Sequence, residues 1–268
     1  MGYTYITLSA FFFCLMTVFV KIAAQQLETI QIVFIRGVIT LLFTWVMVKR
    51  KKVYLWGKNH KILILRGITG TVALFFVYES IQRFPLPEAT VIQYLYPIFT
   101  VLIASLLLSE HAGNQLYFAI LLGFIGIYII LDFPFINSDS SLYATNLIIA
   151  ITGALLTGCA YVFVRMASNM KESPYVIMFY FPLFTVPLSF PYAYATWISP
   201  SINIWIVLIL MAICTQLGQA FLTFGYKILP ASKAATTSYV QVPFSALAGA
   251  VIFYENISYN FILGSKKK

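Results

Sequence analysis

The residues of this chain that can do chemistry are amides and hydroxyls repeating along single helical faces inside apolar stretches. Thr90, Gln93 and Pro97 fall at i, i+3 and i+7 with Tyr94 beside them. Ser238, Gln241 and Ser245 repeat that spacing with Tyr239 adjacent, and Gln216, Gln219 and Thr223 make a third stripe. Such spacing keeps each trio on one side of a helix. Hydrocarbon offers these groups no partner, so they bond to neighbouring helices or line a wet chamber. Interhelical bonding, at about 0.6 kcal/mol each, accounts for some of them. The chamber expected from the rest is lined by Thr90, Gln93, Tyr94, Pro97, Tyr161, Gln216, Gln219, Tyr239, Gln241 and Pro243. Walls of amides, hydroxyls and aromatic rings, with no charge foreseen at midspan, suit neutral, zwitterionic or cationic organic solutes.

Charges near the span ends suggest a second kind of chemistry. Lys21 and Arg36 lie toward the outer ends of the first two spans, and Glu79 follows Tyr78 near the outer end of the third, with Arg83 at i+4. The plain expectation is snorkelling with a local Glu79–Arg83 pair. The sharper one is an outer gate of Lys21, Arg36, Tyr78 and Glu79 in which Glu79 pairs with Lys21 or Arg36, or a proton-coupling site at Glu79. Arg165 reads as a topology anchor. Nothing points to catalysis or to a cofactor: the sequence contains no HExxH, P-loop, GxSxG or GxGxxG pattern. Cys14, Cys159 and Cys214 sit in apolar blocks without metal or disulfide spacing, so free packed thiols are expected. His60 and His111 fall in expected loops, far apart in sequence.

The elements that must hold these residues are membrane helices. With 61% hydrophobic and 9% charged residues in 268, the chain lacks the charge to cover a water-facing surface. A soluble enzyme, a disordered chain and a nucleic-acid binder are excluded. Apolar blocks run near 3–24, 30–48, 62–83, 86–108, 114–131, 142–167, 174–194, 203–226 and 231–254, each about the length needed to cross a bilayer. A tenth begins at Ile257 and stops at Gly264 before Lys266, Lys267 and Lys268, which is short of a full crossing. The first block reads as a retained span rather than a signal peptide. Lys49 to Lys52, Lys58, Lys61, Lys171, Lys227 and Lys233 gather on alternate loops, while Glu28, Glu88, Asp132, Asp139 and Glu255 lie on the others. Basic loops mark the cytoplasmic face, so a cytoplasmic N-terminus is expected.

Internal similarity adds an arrangement. Aligning Pro97 with Pro243 lays the segment from Glu88 to Glu110 on that from Ala234 to Asn256, pairing Ala89 with Ala235 and Thr90 with Thr236. An odd number of spans per half makes the second copy run inverted, so units at 1–132 and 133–268 are expected. A proline in each fourth span kinks it and frees a carbonyl toward a cavity.

Four segments resemble the EamA-like family of the drug/metabolite transporter superfamily: Ala10 to Lys21, Ile35 to Gly37, Leu65 to Gly67, and Pro85 to Glu110 with its echo at Leu229 to Glu255. The resemblance implies an all-α, ten-helix inverted repeat around a central cavity, here with the tenth helix apparently truncated. It also implies small organic metabolites carried by alternating access in a bacterial inner membrane, and admits a homodimer. A non-transporting scaffold with the same fold is the alternative. A membrane-embedded enzyme lacks a credible residue set.

Overall fold

A computed structural model describes residues 1–84, 89, 92–108, 122 and 141–254. The described residues form helices joined by short turns and loops, with no strand among them. In chain order they form α1 (Gly2–Ala23), α2 (Thr29–Arg50), α3 (His60–Arg83), α4 (Tyr96–Leu107), α5 (Ser141–Asn169), α6 (Pro174–Ala195), α7 (Ile202–Ile228), α8 (Ala231–Thr237) and α9 (Gln241–Ile252). Six of them, α1, α2, α3, α5, α6 and α7, are long and apolar enough to cross a membrane, each matching an expected block. The expected span at 114–131 and the incomplete one from Ile257 lie outside the described residues, as do Glu88, Thr90, Glu110, Asp132, Asp139 and Glu255.

The fourth and ninth blocks are interrupted helices. Residues Ile92 and Gln93 are helical, the chain turns at Tyr94 and Leu95, and α4 restarts with Pro97 in its first turn. In the second half, a 3-10 turn at Ser238–Val240 separates α8 from α9, ending three residues before Pro243. Both breaks follow from the missing proline N–H, which deprives the carbonyl four residues earlier, Gln93 or Tyr239, of its donor. Three prolines inside α6, Pro182, Pro187 and Pro191, leave that helix continuous.

Helices pack in partnered sets: α1 lies along α7, α3 along α5 and α2 along α6, while α4 crosses α5 and α9 crosses α1. Two polar latches tie opposite ends of the bundle. At the end bearing the basic loops, one Glu172 carboxylate oxygen accepts from the Lys58 and Asn59 amides at 2.8 and 2.6 Å and from Asn59 Nδ2 at 2.7 Å. Gly57 makes this approach feasible: its φ is +66°, and a Cβ there would fall 2.8 Å from the second Glu172 oxygen. The Tyr180 hydroxyl donates to the Trp56 carbonyl beside it at 2.8 Å. At the opposite end, the Gln31 side chain bonds both backbone groups of Ile198, at 2.6 and 3.1 Å.

Candidate solute cavity

A cavity lies at the centre of the bundle, with about 100 Å³ open to the centres of water-sized molecules. Roughly 10–15 Å³ of such space holds one water, so several waters or one small organic molecule fit. Its amides are one from each stripe: Gln93, Gln219 and Gln241. The neighbouring hydroxyls of two stripes turn instead to local backbone, Thr223 to the Gln219 carbonyl at 2.7 Å and Ser238 to that of Ala234 at 3.1 Å. Hydroxyls satisfied within their own helix and amides lining the chamber therefore alternate along a single face.

The interrupted segments meet here. Tyr94, in the first break, donates its hydroxyl to the Gln241 Oε1 that begins α9. A run of tyrosines extends from that contact: Tyr239 to Tyr94 at 5.9 Å between ring centres, Tyr94 to Tyr96 at 5.2 Å, Tyr96 to Tyr161 at 5.0 Å and Tyr161 to Tyr226 at 5.5 Å. Tyr94, Tyr96 and Tyr161 line the cavity directly, as does Tyr78 from α3.

Other expected lining residues sit elsewhere. Gln216 points its Nε2 at Met47 Sδ, 3.5 Å away on α2. Pro97 is buried in α4 outside the lining, Tyr239 stands half-buried behind Tyr94, and Pro243 is exposed on α9. Thr90 is outside the described residues. Of the gate set, Glu79 pairs with Arg83 at 3.0 Å, with both side chains more than a third exposed. Arg83 also donates to Asn146 at 2.9 Å. Lys21 lies over the Phe253 ring at 5.1 Å, and Arg165 donates to the Tyr226 carbonyl at 3.1 Å.

The expectation of a cavity without charge is overturned by two arginines. Arg36 and Arg66 are 3% and 2% exposed and both line it. At about 1.5 Å of rise per residue, Arg36 sits roughly 10 Å inside the start of α2 and Arg66 roughly 9 Å inside the start of α3. The two helices enter from opposite ends, and their guanidinium carbons converge 5.3 and 4.7 Å from the Phe181 ring centre. Arg36 also faces the Tyr78 ring at 5.5 Å, and Arg66 Nη2 donates weakly to Gln219 Oε1 at 3.5 Å. Cation–π contact offsets part of the burial. A charge held at the bilayer centre costs about 2.5–3.5 kcal/mol on insertion scales, and no carboxylate pairs with either arginine among the described residues.

An Arg-Gly dipeptide places each one. A Cβ at Gly67 would fall 2.9 Å from the Tyr180 carbonyl, and one at Gly37 would fall 3.2 Å from Thr185 and Val186 side-chain atoms. Both glycines let α6 approach, and the arginine one residue earlier is turned inward beneath Phe181. Gly70, one turn after Arg66, leaves the space its guanidinium fills. Arg66 escaped the sequence reading; the recurrence of Arg-Gly in consecutive spans was the available signal.

Apolar spans of membrane length around a central cavity that carries amides and arginines among aromatic rings define a multi-pass integral membrane protein built to enclose a small molecule. The EamA-like transporter family model matches residues 1–132 and 145–265, and the chain belongs to that family: it is a membrane transporter and not an enzyme. It is 28% identical over 249 residues to the pseudopaline exporter CntI of Pseudomonas aeruginosa, covering 92% of this chain and 86% of that one. It is 26% identical over 245 residues to the S-adenosylmethionine uptake transporter of Rickettsia prowazekii, covering 88% and 78%. Mouse solute carrier family 35 member G1 is 27% identical over 270 residues, covering 96% and 73%. A crystal structure of a protein 16% identical superposes with a TM-score of 0.74 over 98% of this chain and 93% of that one, which establishes likeness of fold.

Proposed function

We propose that the chain is a secondary carrier that moves a small organic solute across a bacterial inner membrane by alternating access through the central cavity. In this reading the halves 1–132 and 133–268 are inverted copies of a five-helix unit, ten helices in all, and the N-terminus is cytoplasmic. The two segments matched by the family model support the division. So do the helix pairings: exchanging the halves turns the α1–α7 contact into the α5–α3 contact and α4–α5 into α9–α1.

The observation that carries the proposal is the Tyr94–Gln241 hydrogen bond, where broken helices from the two halves meet at the wall of the central cavity. Breaks of this kind permit one half to rock against the other about a fixed site. Glu79 lies outside the lining of the central cavity and is paired with Arg83.

Accessibility tests the mechanism without knowledge of the solute. Ala160 lines the cavity on α5 and is buried. With Cys14, Cys159 and Cys214 replaced by Ala, an Ala160→Cys carrier in sealed vesicles is expected to react with a membrane-impermeant maleimide applied to either face. Labelling from one face only, or from neither, would show a fixed scaffold instead.

A further inference from the structure

The polar atoms left over in the cavity define a more specific ligand. Arg36 Nη1 and Arg66 Nε are buried donors without a hydrogen-bond partner, and Gln93 Oε1 is a buried acceptor without one. The Gln93 amide is fixed in that orientation by its neighbour. Thr157 gives its only proton to the Gly153 carbonyl at 2.7 Å, so at 3.0 Å from Gln93 it can only accept, which demands the Nε2 there. The Gln241 Oε1 accepts from the Tyr94 hydroxyl, which leaves its Nε2 as a donor. Two guanidiniums therefore share one apolar ring with no described carboxylate beside them. Across the same cavity an amide oxygen waits for a donor.

We propose that the cavity is a carboxylate site, in which Arg36 and Arg66 bind the anionic group of the solute while Gln93 Oε1 accepts from an ammonium or amine elsewhere on the same molecule. The assignment rests on the carrier reading for its transport role, while the binding it predicts stands alone. Two positive charges without counter-ions attract one anion more strongly than either does singly. Guanidinium forks match carboxylate geometry with two parallel hydrogen bonds. Aromatic walls from Tyr78, Tyr94, Tyr96, Tyr161 and Phe181 then accommodate an apolar body joining the two polar ends.

A matched probe series separates the contributions: leucine, 4-methylpentanoate, which lacks its ammonium, and 3-methylbutylamine, which lacks its carboxylate, with inorganic phosphate as a second anion. Purified full-length protein is melted in detergent with each probe at ionic strength held constant by chloride. The expected result is a saturable rise in melting temperature with leucine, a smaller one with 4-methylpentanoate, and none with the amine or phosphate. Arg36→Gln and Arg66→Gln should weaken leucine binding at least about a hundredfold, as loss of both the charge and its two-pronged hydrogen bonding does. Without ligand they should melt no lower than wild type, because a buried charge has been removed. Gln93→Leu should erase the advantage of leucine over 4-methylpentanoate.

No shift beyond chloride with either carboxylate would overturn the assignment on wild-type protein alone, whether or not the arginine variants fold. An equal shift with the amine, a shift with phosphate only, or leucine binding unchanged in folded arginine variants would do the same. Vesicles in which Ala160→Cys is labelled from both faces while no carboxylate binds would leave the carrier standing and remove this site. Leucine binding through Arg66 with labelling confined to one face would do the reverse.

Discussion

Two arginine sites in this protein are built in opposite ways. At the rim, Arg83 lies in the open, meets Glu79 at 3.0 Å one turn away and Asn146 at 2.9 Å, and leaves little charge uncompensated. In the cavity, Arg36 and Arg66 are buried, face rings rather than carboxylates, and retain donors with no acceptor. Burial without a counter-ion is costly and persists only where the surroundings hold it in place. The difference teaches that the informative charge is the one whose partner is missing, since a charge already satisfied has nothing left to offer a solute. Glu172 marks a third case: buried like the cavity arginines, yet supplied with three donors on one oxygen, it closes a loop instead of opening a site.

The contrast can be broken most severely at Arg66. Arg66→Lys keeps the charge but removes the planar fork and the orphaned Nε, so carboxylate binding measured by thermal titration should weaken about a hundredfold. Affinity within threefold of wild type would mean that a point charge suffices and that fork geometry is irrelevant. Gly70→Ala attacks the same group indirectly, because a Cβ there overlaps the Arg66 guanidinium. A smaller loss of binding, about tenfold, is expected, together with a lower melting temperature that recovers, without recovery of binding, when Arg66 is simultaneously shortened to Gln.

These two residues also show where sequence reasoning stopped. Amides were legible because glutamine inside hydrocarbon is rare enough to be read by helical spacing, and one from each stripe reached the cavity wall. The spans were legible for the same reason of composition, and Pro97 and Pro243 announced their breaks. Yet Pro182, Pro187 and Pro191 interrupt nothing in α6; proline identity alone does not say whether neighbouring helices hold a helix straight. Arg66 was hidden by its nearness to the lysine-rich loop. An arginine within two turns of a span end is free to snorkel outward, and only the packing of Gly67 against the Tyr180 carbonyl turns this one inward. That contact depends on α6, more than a hundred residues later in the chain, and no local pattern encodes it.

A buried charge with all its partners should behave as structure alone. Glu172→Gln keeps an acceptor oxygen but weakens three bonds to the loop before α3, and a loss of about 1 kcal/mol is expected, read as a lower melting temperature in detergent. Leucine affinity should stay within twofold, because the latch lies at the bundle end and not in the cavity lining. A large change in affinity with little change in melting would instead connect this latch to the opening of the cavity.

The smallest effect belongs to the rim. Exposed i, i+4 pairs contribute about 0.3–0.5 kcal/mol, and Glu79 and Arg83 form such a pair with both side chains more than a third exposed. Glu79→Gln should therefore shift melting by no more than that, and should leave uptake into vesicles unchanged with or without an imposed proton gradient. Loss of gradient-driven uptake with intact binding would assign proton coupling to Glu79, and it would reverse the comparison: the satisfied pair at the rim would then be the group that moves, and the orphaned arginines only the cradle it serves.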